Sequence, residues 1–163
     1  MKKITAKLNV NSVDRAIRSV NAYKNGLEAK CRKIAQRAAM LGATRAVISY
    51  SRAFYTGPVD VNVTVEKRDK GYAIIADGET VLFLEFGAGV TMGYGHPQNA
   101  QFGMGPGTYP DGKGHWNDPK GWWLPKAKGG GHTCGNPPTM GMYNAAQDIR
   151  RELTEIAREV FAE

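Results

Sequence analysis

His96, His115, His132 and Cys134 are the side chains of this sequence best suited to holding a metal or activating a nucleophile. Zinc needs three or four N, S or O donors, usually at short paired spacings. Only His132-Thr133-Cys134 is a close pair, and its two side chains share a face only if the backbone there is extended. Polar loop residues are the simpler reading. Cys134 with His96 or His115 would make a nucleophile and base, and His132, Cys134 and a third ligand would make a small hydrolase. No local signature supports either, and no G-x-S-x-G elbow occurs. The acids available for proton transfer, Glu85, Asp111 and Asp118, are far apart in sequence. Glu85 interrupts the apolar run Val81–Phe86, so strand alternation would send it to solvent, or a partner at an interface would hold it. The glycine clusters at 103–107 and 129–131 fit no G-x-G-x-x-G, and no G-x-x-x-x-G-K-[ST] exists, so no nucleotide site is expected. The reading from residue types is no catalytic residue, no cofactor and no metal.

The elements that would position these residues follow from composition and period. The chain has 163 residues, enough for one domain with one ordinary core. No apolar stretch is long enough to span a bilayer, so no membrane partner is expected. The start, MKKITAKLNVNS, has no apolar segment of a secretory signal. Two cysteines, Cys31 and Cys134, make no disulfide framework. The net charge of +7 is uneven: residues 1–55 hold 12 Lys/Arg against 2 acids, whereas 56–86 and 142–163 are net acidic. Glycine and proline are uneven too, with 22 of the 55 residues at 87–141 being one or the other. That segment also carries Trp116, Trp122 and Trp123, so it reads as an adhesive excursion and not a spacer.

Residues 12–53 read as a helix with Ser12 as N-cap. Val13, Ile17, Val20, Leu27, Cys31, Ile34, Ala38, Leu41 and Ile48 follow alternating steps of four and three, broken at Lys24 and Arg45. A core-facing amphipathic helix is the first reading and a coiled coil the sharper one. Asn25-Gly26 suggests a kink or two helices meeting. Val59, Val61, Val63 and Val65 alternate with polar residues as a half-buried strand, and Tyr72–Ala76 is a second. Asp77-Gly78 predicts a hairpin into a third strand, Thr80–Phe86, and 121–124 a fourth. Ile149, Leu153, Ile156 and Val160 mark a helix over about 140–161. The predicted fold is α+β: a long N-terminal and a C-terminal helix packed on an antiparallel sheet of three to four strands.

On the predicted helix, Lys30, Lys33 and Arg37 form a stripe, with Arg32 and Arg52 nearby. A basic face suits a polyanion, either DNA or the acidic face of another subunit, and the acidic segments of the chain make self-association a third option. This supports an alternative reading as a basic nucleic-acid-binding protein, although no DNA-reading motif is present.

One order of motifs stands out. Tyr55-Thr56-Gly57 follows the basic helix. Phe83-Leu84-Glu85-Phe86-Gly87-Ala88-Gly89 precedes the Gly/Pro-rich stretch. His132-Thr133-Cys134-Gly135-Asn136-Pro137-Pro138 leads through Met140 and Met142-Tyr143 to the last helix. This resembles the tail-completion, or neck, proteins of long-tailed bacteriophages, over roughly residues 12–161. It departs from their commonest pattern at Ala88, where a Thr is frequent, and at Pro138-Thr139. The resemblance implies a non-enzymatic virion protein of the head–tail junction, made in the bacterial cytoplasm. It would assemble as a ring, a hexamer, around the DNA channel, with other neck and tail proteins and the passing DNA as partners. Glu85, Phe86, Tyr94, Phe102, Tyr109, Trp116, Trp122 and Trp123 are then the expected interface residues, and Lys30, Lys33, Arg37 and Arg52 the basic face. The excursion at 87–135 is expected to complete its order in the ring.

Overall fold

The computed structural model describes residues 9–55, 57–107 and 117–163. Helix α1 runs without interruption from Val10 to Ser51, straight through Asn25-Gly26. Its N-cap is Asn9 and not Ser12: the Asn9 Oδ1 accepts from the Ser12 backbone N–H at 2.9 Å. Strands β1 (Asn62–Arg68) and β2 (Gly71–Asp77) form an antiparallel hairpin across Asp69-Lys70, in the register Asn62↔Asp77 to Arg68↔Gly71. Val63 and Val65 are half-buried while Asn62, Thr64 and Glu66 are exposed, the alternation expected of a sheet with one wet face. Helix α3 spans Gly141–Ala162.

The class is therefore α+β, with a long first helix, a last helix and two small antiparallel sheets of two strands each. The expected third strand is a helix. Val81–Phe86 forms α2, with Thr80 in the cap position. A short apolar run is as compatible with a buried helical turn as with a central strand, and Leu-Phe-Leu-Glu favours the helix. Nor does Asp77-Gly78 make a hairpin. Thr80 Oγ1 donates to the Asp60 carbonyl at 2.8 Å and accepts the Asp60 N–H at 2.9 Å, tying the chain back to the entry of β1. The expected fourth strand shrinks to β3 (Trp122–Trp123), which pairs with β4 (His132–Thr133) in a sheet of its own.

The core forms where α1 is flanked on two sides. Gly42 marks the spot. A Cβ there would stand 2.5 Å from the Ile149 Cδ1 of α3 and 2.6 Å from the Ile74 Cδ1 of β2, so glycine lets both side chains close on α1 without shifting. Farther along, Ala46, Tyr50, Leu84 and Ala145 are the most buried cluster, joined by Val61, Val63, Ala76 and Met142.

Helices α1 and α3 run antiparallel, and their charges match. Arg45, which broke the apolar period, faces Asp148 at 3.7 Å and Glu152 at 3.6 Å. Lys33 pairs with Glu163, and Arg37 reaches Glu163 at 2.6 Å and Glu159 at 3.5 Å. Lys30 donates to the Phe161 carbonyl at 3.2 Å and lies over its ring.

Candidate functional site: the junction of the two motifs

The Phe83–Gly89 and His132–Pro138 segments, some fifty residues apart in sequence, meet in space. Helix ends leave backbone groups without intrahelical partners. At the C-terminal end of α2, the Phe83 carbonyl accepts from Asn136 Nδ2 at 2.8 Å and the Leu84 carbonyl from the Thr139 N–H at 2.6 Å. At the N-terminal end of α3, the residue in the cap position, Met140, is left-handed (φ 56°) and makes no side-chain cap. Glu85 supplies the cap from a distance. Its Oε2 accepts the Met142 N–H and its Oε1 the Tyr143 N–H, each at 2.9 Å. Helix α2 and the segment leading into α3 thus cap each other, and a carboxylate sits on the positive end of the α3 dipole.

Glu85 is buried and its remaining lone pairs are also occupied. The Tyr50 hydroxyl donates to Oε2 at 2.8 Å. His96 Nε2 lies 3.4 Å from Oε1, while its Nδ1 accepts the Gln98 N–H at 3.1 Å. That second bond assigns the proton to Nε2, so His96 donates to the carboxylate. Four donors fill the four acceptor sites of a carboxylate. Burial, reinforced by the negative charge and hydrogen bond of Glu85, pushes the Tyr50 phenol far above its usual value of 10.0.

Glycines make the junction close. Ala88 and Asn136 exchange both backbone hydrogen bonds, at 2.9 and 3.1 Å. Gly135, at φ 107°, lies so near that a Cβ would meet the Ala88 carbonyl. The backbone contact and the left-handed conformation each demand glycine.

The sequence-predicted residues divide into three groups. Glu85 and Phe86 are buried inside their own chain, at 6% and 7% exposure, so Glu85 neither faces solvent nor waits for a partner. Tyr94, Phe102 and Trp123 are surface aromatics, Trp123 at 75% exposure, with Trp122 half-buried beside it. Tyr109, Trp116, His115 and Asp111 lie outside the described residues.

Of the chemical candidates, His96 is spent on Glu85, and its ring packs 4.4 Å from that of Phe86. His132 stacks edge-on against Trp123. Cys134 is exposed, with its thiol 3.9 Å from the Lys120 carbonyl. Among the described residues no group of three His, Cys, Asp or Glu stands close enough to hold a metal ion. Lys30, Lys33 and Arg37 do not form an outward face, because each is engaged with the end of α3; Arg52 is exposed at the C-cap of α1.

Sequence reasoning missed Tyr50, Asn136 and Thr139. Their signal was weak: they lie 35, 51 and 54 positions from Glu85, and nothing local in the sequence links them to it. Beside the junction a cavity of about 380 Å³ is lined by Tyr50, Phe86, His96, Phe102 and Tyr143 among others. Ala146, Gln147 and Arg150 of α3 add to its wall. No family model, curated protein or solved structure matches the chain.

Proposed function

We propose that the chain is a non-enzymatic structural subunit of the bacteriophage head–tail junction, which assembles through its aromatic excursion into a six-membered ring around the DNA channel. The observation that carries this reading is the reciprocal capping of α2 and the segment leading into α3. The two motifs on which the resemblance rests are joined to each other through Asn136, which bonds Phe83 and Ala88, and Glu85 is spent on Met142, Tyr143 and His96 of the same chain. The motifs therefore serve as an architectural joint. Within the excursion, Tyr94, Phe102 and Trp123 stay exposed and available to partners. Exposed rigid aromatics on a glycine-rich backbone are suited to interface anchoring.

The nucleic-acid reading ranks behind, because two of the three residues of the stripe, Lys33 and Arg37, are paired with Glu159 and Glu163. A virion address agrees with the finding that no helix among the described residues is long and apolar enough to cross a membrane. The test is Trp123→Ala. Its ring touches His132 at the surface, so the variant keeps the thermal midpoint and helical signal of wild type but loses the large assembly in light scattering. An unchanged assembly would remove the excursion from the account.

A further inference from the structure

Among the described residues, the N-terminal half of α1 is exposed along almost its whole length. Helix α3 reaches back along α1 only as far as Lys30. Between residues 9 and 29 every residue is exposed except Ser12 and Ala16, which are half-buried. This arm is roughly 30 Å long at the helical rise. It is a poor helix former by composition, with Asn11, Asn21, Asn25 and Gly26. Helical segments of this kind depend on packing of an apolar face. The arm has such a face: Val10, Val13, Ile17, Val20 and Leu27 keep, at steps of three and four, the period that runs on through Ile34, Ala38 and Leu41, which are half-buried or buried. Lys24 is the one charged slot in it.

The covered half shows what suits the seam. There the charged slot is Arg45, three heptads beyond Lys24, and it is matched by Asp148 and Glu152 of an antiparallel helix. We infer that the arm pairs antiparallel with the arm of a second copy of this chain. Centred between Arg18 and Ser19, the pairing sets Ile17 beside Val20 of the second copy, Val10 beside its Leu27, and Lys24 beside its Val13. Asp14 of the second copy then flanks the Lys24 ammonium and does what Asp148 does for Arg45. A parallel pair would stack Lys24 on Lys24, a like-charge contact in the seam. A two-fold contact closes at two copies, so arm pairing doubles whatever assembly the body makes and is separate from the ring contact.

The test is sedimentation of the full chain. Ile17→Glu with Val20→Glu halves the wild-type particle mass and leaves the thermal midpoint unchanged, because neither residue touches the folded body. Asp14→Lys weakens pairing by at least about tenfold, and adding Lys24→Asp restores it, since the swapped charges face each other only in the antiparallel register. An unchanged mass in the glutamate variant overturns the pairing. Failure of the charge swap to rescue overturns its direction. Neither result bears on the ring, which Trp123→Ala reads separately.

Discussion

Replacing Glu85 by glutamine keeps the shape of the side chain but removes one charge and half of its acceptors. The four donors on Glu85 come in two pairs: Tyr50 and the Met142 N–H on Oε2, His96 and the Tyr143 N–H on Oε1. Whichever way the glutamine amide turns, its NH₂ faces one of the two backbone N–H groups at the start of α3. The Tyr50 hydroxyl can rotate to accept instead, but a backbone N–H cannot. One buried donor is left without a partner, at about 1–3 kcal/mol. Loss of the carboxylate from the helix N-terminus adds about 0.3–1 kcal/mol. The expected loss is therefore about 1.5–4 kcal/mol against a total of roughly 5–15 for a domain. For a chain of this length that lowers the thermal midpoint by about 3–16 °C. Urea unfolding followed by far-UV circular dichroism measures it directly, with an unchanged slope showing that the unfolded state is not altered. Combining the change with Tyr50→Phe should give less than the sum of the single losses, because the two residues share one bond. A loss below about 0.5 kcal/mol, the scale of an ordinary surface substitution, would refute the reasoning that Glu85 caps α3.

Three other outcomes are expected. Because the Tyr50 phenol holds its proton in the folded chain well beyond its unfolded value of 10.0, stability is full below about pH 10 and falls as pH rises above it; Tyr50→Phe flattens that alkaline limb in pH-dependent melts. The Glu163 carboxyl is held below its usual value by hydrogen bonds from Lys33 and Arg37, so its small contribution is present above about pH 4.5 and fades on acidification; melts of Glu163→Gln should lose that acid dependence with little change at neutral pH. Gly135→Ala cannot keep both the left-handed backbone and the Ala88 bridge, and should cost several kcal/mol in denaturant unfolding, beyond the ~1 kcal/mol of an ordinary glycine replacement.

Periodicity made the two helices legible but not the buried face of α1: of its four-and-three stripe only Ala38 is buried, and Gly42, Ala46 and Tyr50, spaced by fours, carry the core instead, whereas Ile149, Ile156 and Val160 of α3 do turn inward and Leu153 does not. The β1–β2 hairpin was legible from the alternating valines. The third strand was misread because Val81–Phe86 has no period to separate a strand from a helical turn, and the error carried Glu85 with it. Strand alternation sent Glu85 to water, whereas a helical turn at the core points it at α3. The basic stripe was legible as charge, but its partners Glu159 and Glu163 lie more than 120 positions away, so sequence alone left DNA and protein both open. The capping joint itself was illegible for the same reason. Three of its donors, Thr139, Met142 and Tyr143, act through backbone groups, which every sequence has, and what selects them is the fold.

The most direct test of the central claim is electron microscopy of the purified wild-type protein. The account predicts closed rings of six subunits around a central opening, in class averages viewed down the axis. Compact particles of one or two copies with no opening, at every concentration examined, would contradict it.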